Sequence, residues 1–350
     1  MSATFIFKEQ NSELFWKYWE EFVTVHSAHP AYLKLNIEWQ LSISQNRGLF
    51  VEDKSFVYLV DNKPKACVFL PIEKNNNLLT GTLNDGFIYA PIFADHSVAK
   101  EVFNTIDEIA AEMKLEKIMF SIDPLSLEKN SFNFLQRFNY LDASILTYVI
   151  DCGDSEPLSE MRRGHKSDVK KIQQNDDFKV FRFDSTNCSS QVHEEFRQLS
   201  YKCAGREIRP KETYDKQFEI LKNNQAVLFC LVHKEQKIAF AHFEYNKDKA
   251  FYTVGVDDPD FEKMPLYHTL IYTAMRFFKD LGVRYIDTGQ PSSPSTQFLY
   301  YPDAKQLNIA LFKRGFGGNF KQNFRGVKYY SGNLFLADAE VFIKNYKLKI

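Results

Sequence analysis

The sequence is poor in cysteine, and its five cysteines (Cys67, Cys152, Cys188, Cys203 and Cys230) are scattered with no Cys-x-x-Cys pair. That excludes a disulfide framework and a cysteine-based zinc site, and it fits a reducing compartment. Eight histidines are dispersed and no His-Glu-x-x-His occurs, which argues against a metal centre. There is no Walker A sequence and no Gly-x-Ser-x-Gly elbow, so neither P-loop phosphoryl chemistry nor a hydrolase-type serine is expected. Apolar runs such as 226–232 are of strand length, far too short to span a bilayer. The opening MSATFIFKEQ has no basic stretch followed by an apolar one, so a cytoplasmic protein is expected. Net charge is also missing: 44 Lys+Arg against 45 Asp+Glu leave −1. This excludes a uniformly basic nucleic-acid binder and an acidic disordered chain.

What is present is an ordinary globular composition, 44% apolar and 25% charged, with 33 Phe and 18 Tyr to fill an aromatic core. A length of 350 residues suggests two domains. The softest boundary is the turn-rich DCGDSEP at 151–157. It divides the chain into 1–152 and 153–350.

Both parts show the same order of patterns. In the first, strands are expected at 3–7, 56–60, 66–72, 87–93, 118–122 and 144–150. Helices are expected at 12–26, 31–45 and, with a strong apolar stripe (Val98, Val102, Ile106, Ile109, Met113), at 98–115. In the second, a hairpin at 226–233 and 237–245 precedes a strand at 250–256. A helix opening at Pro265 with stripe Leu266, Leu270, Ala274, Phe277 and Leu281 leads to Gly282, and strands at 283–287 and 307–313 complete the series. Hairpin, strand, long helix, strand thus recurs at an offset of roughly 170 residues. The expected fold class is α/β (α+β), two halves that are each a mixed sheet flanked by helices.

The charge balance conceals a segregation. Residues 304–337 carry Lys305, Lys313, Arg314, Lys321, Arg325 and Lys328 and no acid, so this +6 is offset by −7 elsewhere. Such a segment is either a solvated basic edge or an anion site. In a strand reading, Leu307, Ile309, Leu311 and Lys313 share one face, and GFGG at 315–318 permits close backbone approach.

The run LNIALFKRGFGGNFKQ, following LGVRYIDTGQ, resembles the closing part of the Fem family, peptidoglycan-bridge aminoacyl transferases built from two GNAT-like halves, and related double-GNAT acyltransferases. MRRGHKSDVKKIQQNDDFKV is similar to the segment that opens their second half. The resemblance implies transfer of an acyl or aminoacyl group onto an amine, in peptidoglycan or polysaccharide biosynthesis. It implies that Phe312 and Lys313 are the catalytic pair, with the lysine stabilising the carbonyl oxyanion. No tightly bound cofactor is expected, only an acyl donor, aminoacyl-tRNA or acyl-CoA. The loop DDPDFEKMPLYH has no glycine and four acids (Asp257, Asp258, Asp260, Glu262). It would repel the pyrophosphate of CoA and so favours aminoacyl-tRNA. Two alternatives stand beside this reading. One is an acyl-CoA-dependent N-acyltransferase on an amino sugar or amino acid, the other a non-catalytic binding module of the same fold.

Further candidates concern a small-molecule or nucleotide-linked amine acceptor. Lys166 shares a helix face with Arg163 and Lys170, and Arg206 with Arg209 could clamp a diphosphate. Asp287, before Thr288-Gly289, is placed to orient an amine or a lysine. Tyr252 is either a cleft residue or core.

Overall fold

The computed structural model describes residues 2–126, 132–153, 156–289 and 297–348. The chain begins with β1 (Ala3–Phe7), α1 (Ser12–Val25), α2 (Lys34–Asn46), β2 (Phe50–Asp53), β3 (Phe56–Val60), β4 (Lys63–Val68), β5 (Pro71–Asn75) and β6 (Leu78–Gly81). It continues with β7 (Ile88–Tyr89), β8 (Ile92–Phe93), α3 (Ala99–Met113), β9 (Lys117–Ser121) and β10 (Leu141–Asp142). Next come β11 (Ile145–Asp151), α4 (Pro157–Glu160), α5 (Arg163–Gln173), β12 (Phe178–Phe183), α6 (Ser190–Ala204) and α7 (Lys211–Lys222). Then follow β13 (Ala226–His233), β14 (Gln236–Asn246), β15 (Lys249–Asp257), α8 (Leu266–Leu281) and β16 (Tyr285–Asp287). The last elements are α9 (Ala304–Lys313), β17 (Asn319–Asn323), β18 (Arg325–Tyr329) and α10 (Gly332–Lys347).

These elements form two compact units. The first comprises 1–145, 293–303 and 322–350, the second 146–292 and 304–321. The expected cut at 152/153 therefore falls late, because β11 pairs antiparallel with β16 inside the second unit (Val149 opposite Asp287). Part of that expected boundary, residues 154–155, lies outside the described residues. The C-terminal strand and helix belong to the first unit, where β18 pairs with β9 and β10.

The first unit holds one sheet of order β1-β3-β4-β8 and a second of order β10-β18-β9-β6-β5-β2, with β7 also on β9. Alternation along β3 and β4 divides its core. Phe56, Tyr58, Ala66 and Val68 pack with Val102, Phe103 and Ile106 of α3. Val57, Leu59 and Cys67 pack with Phe15, Trp19 and Phe22 of α1. The strand expected over 87–93 is broken into β7 and β8, which lie in different sheets. Pro91 between them has no N–H for a continuous ladder.

The second unit is a single mixed sheet, β12-β13-β14-β15-β16-β11-β17. Odd-numbered residues of its long hairpin (Phe229, Ala241, Phe243) join Leu270, Ala274 and Phe278 of α8 in one core. On the opposite face Phe196 of α6 packs on Phe240 and His242. The second unit is a mixed sheet with helices on its faces, as the pattern of apolar residues predicts, whereas the first divides its strands between two sheets where one was expected. One element differs in kind. Residues 304–313 form helix α9 and not a strand. Its alternating Leu307, Ile309 and Leu311 are no apolar face, since Ile309 and Leu311 are exposed and Ala310 is the buried position. The basic segment is also divided: 304–321 lies in the second unit and 322–337 in the first.

Candidate active site

The site grows from a discontinuity in the second unit's sheet. β15 and β16 run parallel, but their ladder covers only Lys249–Tyr285, Ala250–Ile286 and Phe251–Asp287. β15 continues to Asp257, held on its other edge by β14. Beyond Phe251 its backbone on the β16 side pairs with no strand among the described residues, which leaves peptide groups available at a parting of strands. A register shift in the β14–β15 ladder between His242 and Phe243 re-aims the side chains there. Tyr252 turns its hydroxyl against Gly255, where an added Cβ would lie 1.9 Å from that oxygen.

Lys313 enters this parting from the last turn of α9. Its Nζ lies 5.7 Å from the Tyr252 ring centroid and 3.2 Å from where a Cβ on Gly289 would stand. Among the described residues the ammonium makes no hydrogen bond and no ion pair. Burial lowers its pKa, and the Asp287 carboxylate pulls the other way. Asp287 is itself buried and held at Oδ1 by the Thr147 hydroxyl (2.6 Å) and the Gly289 N–H (2.8 Å). Tyr252 is kept as a phenol by burial and by Asp257, which raise its pKa. Three residues expected from the sequence, Lys313, Asp287 and Tyr252, thus converge.

Phe312 has a different place. Its carbonyl accepts a hydrogen bond from His165 Nε2 (2.9 Å), and Arg162 Nη2 donates to His165 Nδ1 (3.2 Å), so His165 is the neutral Nε2–H tautomer. Burial lowers the His165 pKa and favours that neutral form. The Phe312 ring stands edge-on to His268 (5.0 Å) and Phe316 (5.0 Å). It is an anchor that fixes the end of α9 and thereby Lys313. Gly315 follows of necessity, because a Cβ there would stand 2.0 Å from His165 Nε2. Gly317 adopts φ +82 and would drive a Cβ within 2.5 Å of Glu160.

The other expected residues do not join this site. Lys166 donates to the Ser159 carbonyl (2.7 Å), a local helix contact. Arg209 stacks on Tyr214 (4.3 Å) and donates to Gln217 (3.2 Å), while Arg206 is exposed in the loop.

A second polar cluster escaped the sequence. On the face of the sheet covered by α6 and α7, Glu244 and His242 are buried, with His193 of α6. Burial pushes Glu244 up to about 8, against the pull of Arg209, and its Oε1 has no hydrogen-bond partner. Burial pushes His242 down to about 3 and His193 to about 4. Thr253 Oγ1 donates to the His242 carbonyl (3.0 Å) and lies 2.7 Å from His242 Nδ1, which also faces Gln217 Nε2 (3.5 Å), while His242 Nε2 is buried without a partner. In IAFAHFEYN both residues sit on alternate strand positions among apolar neighbours, and alternation alone cannot reveal such a pair.

Known proteins place this architecture. The structure of FemX superimposes with a TM-score of 0.66 at 13% identity, over 96% of this chain and 99% of that one. L-PGS from Bacillus licheniformis gives 0.59 at 14% over 93% and 95%. A tandem GNAT protein from the clavulanic acid biosynthesis pathway gives 0.53 at 11% over 94% and 99%. The chain has the tandem GNAT fold. No family model matches the sequence, and no curated protein matches it either.

In the second GNAT unit the loop between β15 and α8 is committed to itself. Asp258 caps a 3-10 turn at Pro259–Phe261, and Lys202 pairs with both Asp258 (2.5 Å) and Asp260 (2.7 Å). Asp257 accepts from Tyr267 Oη (3.2 Å). Pro265 stands as the N-cap of α8, one residue ahead of the first-turn position expected, with no side-chain cap. Among the described residues no helix is long and apolar enough to cross a membrane, and no cluster of three metal-ligating side chains occurs.

Proposed function

We propose that the chain transfers an acyl or aminoacyl group from an activated ester or thioester onto a substrate amine, with Lys313 as the oxyanion-stabilising catalytic residue. The observation that carries this reading is the Lys313 ammonium, unpaired among the described residues, at the parting of β15 and β16 beside Gly289 and Tyr252. The amine nitrogen attacks the carbonyl carbon and a C–N bond forms. The carbonyl electron pair moves to oxygen, where the ammonium meets the developing charge. Collapse of the tetrahedral species breaks the C–O or C–S bond, the nitrogen loses its proton to solvent or to the departing group, and an amide remains. A pre-positioned donor of this kind supplies ~2.7–4 kcal/mol of transition-state stabilisation. No protein nucleophile is needed. Asp287 acts as a positioning residue that keeps Lys313 charged.

For the donor we favour aminoacyl-tRNA over acyl-CoA. The β15–α8 loop carries Asp257, Asp258, Asp260 and Glu262 and no glycine, and two of these acids are tied to Lys202. The similarity to FemX and L-PGS is consistent with this choice. The acceptor is a soluble or nucleotide-linked amine of cell-envelope or polysaccharide biosynthesis. The test is incubation of the purified chain with a mixed pool of radiolabelled aminoacyl-tRNAs, or with labelled acetyl-CoA, and a small-molecule metabolite extract as amine source. A base-stable labelled amide formed from the aminoacyl-tRNA pool is the expected product. Label moving only from acetyl-CoA would reverse the donor assignment, and no labelled amide from either donor would leave the binding-module reading in its place.

A further inference from the structure

The first unit holds a cation whose burial demands an explanation. Arg325 opens β18 and is 5% exposed. Its backbone is fully engaged: the N–H donates to Ser144 Oγ (3.2 Å), and the carbonyl accepts from Asn133 Nδ2 (2.8 Å) and Ala143 N (3.0 Å). The guanidinium is not. Among the described residues it makes no hydrogen bond and no ion pair, and Nε is buried without a partner. One of its faces is taken by the Phe87 ring, 3.5 Å from Cζ to centroid. Burial pushes its pKa down to about 10, with the Tyr300 phenol pulling the other way. A buried guanidinium without a counter-charge is strongly unfavourable, and arginines at such depth are paired or ligand-bound.

The neighbours are arranged for a ligand. Ser121 stands directly across the β9–β18 ladder from Arg325, and its hydroxyl donates to Asn323 Oδ1 (2.8 Å). That bond turns the Asn323 amide so that Nδ2, which makes no hydrogen bond among the described residues, remains as a donor. Both Ser121 and Asn323 are buried. The next cation along the strand, Lys328, lies on the other face, where it is paired with Asp107 (2.7 Å). The place therefore offers one positive charge, one neutral amide donor and a planar fork whose free edge carries its N–H groups.

We infer that Arg325, with Asn323, forms a subsite for a single carboxylate, that of an amino acid or a peptide, in the first unit. One cation neutralises one negative charge, which suits a carboxylate better than a dianionic phosphate. The flat two-oxygen group matches the guanidinium edge in a bidentate pair. The subsite stands independently of the transfer chemistry assigned to Lys313.

The test uses the full chain at matched ionic strength, by thermal denaturation and calorimetry. N-acetylglycine is the carboxylate probe, N-acetylglycinamide its neutral counterpart and inorganic phosphate the competing oxyanion. N-acetylglycine is expected to raise Tm saturably, the amide to have no effect, and phosphate to act no more than chloride does. Arg325→Met should abolish the response while melting at or above the wild-type temperature without ligand, because an unpaired buried charge has been removed. Asn323→Leu should weaken binding about tenfold. Each of the following overturns the inference: a stronger response to phosphate, an equal response to the amide, or no wild-type response to the carboxylate up to about 50 mM. So would a response that survives Arg325→Met, or an Arg325→Met chain that fails to fold, which would make the guanidinium a structural strut.

Discussion

Replacing Glu244 by Gln offers a quantitative check on the second unit's interior. The carboxyl is buried on the α6/α7 side of the sheet, and burial pushes its pKa from the ordinary 4.5 up to about 8. A raised carboxyl pKa means that the folded state binds the proton more tightly than the unfolded chain. Stability is therefore highest below 4.5 and falls as pH rises toward 8, each pH unit inside that window costing up to about 1.4 kcal/mol. His242 and His193 act in the opposite direction. Their folded values near 3 and 4 mean that stability grows as pH rises from those values to 6.5. Near pH 6.5 they are still half protonated in the unfolded chain, but that contribution is common to wild type and variant and cancels in the difference, so Glu244 is read from the difference. Between pH 6.5 and 9 its share of the loss is about 2 kcal/mol. Cys152 and Cys230, pushed up to about 12 by burial, add their own loss at alkaline pH, but that loss is common to both chains and cancels in the difference. Equilibrium urea denaturation followed by far-UV circular dichroism, at half-unit steps over this range, gives the comparison. Glu244→Gln should become more stable relative to wild type by about 2 kcal/mol across the range. Parallel curves would refute the reasoning, because they would mean that the carboxyl titrates as it does in water.

Other outcomes follow from the site. Asp287→Asn removes the charge that holds the Lys313 pKa up, so the alkaline limb of the transfer rate should move to lower pH, read from a kcat profile. Gly315→Ala forces a Cβ into His165 and should cost about 1–3 kcal/mol along with most of the transfer rate, whereas Gly164→Ala, with nothing within 4 Å, should do neither. The exposed Cys203 should react with a thiol reagent at once, and the buried Cys67, Cys152 and Cys230 only on unfolding. Coenzyme A should leave the melting temperature unchanged if the acidic β15–α8 loop excludes it.

The sequence revealed most where side-chain periodicity and burial coincide. The stripes of α3 and α8, the hairpins β3–β4 and β13–β14, and the tandem arrangement were all readable because each element buries one face. The nature of α9 was not. Alternating Leu307, Ile309 and Leu311 read as a strand, but residues 304–313 hold no glycine or proline, and the clamp of His165 and His268 on Phe312 decides the outcome from elsewhere in the chain. The boundary at 152/153 missed because β11 closes the second unit's sheet by pairing with residues more than a hundred positions away. Lys313 stood out in the sequence through the Fem resemblance and Asp287 through the Thr288-Gly289 that follows it, and the structure brings the two together. Glu244, His242 and Arg325 did not stand out, since what marks them is burial without a partner, and no local pattern encodes that.

The most direct measurement is the single-turnover rate of amide formation by Lys313→Met beside wild type, with the melting temperatures of both. The ammonium is unpaired among the described residues, so its loss should leave Tm within a few degrees. The rate should fall by about 10²–10³-fold, the value of one oxyanion donor. A variant that transfers at the wild-type rate, or that loses its rate only because it has unfolded, would contradict the account.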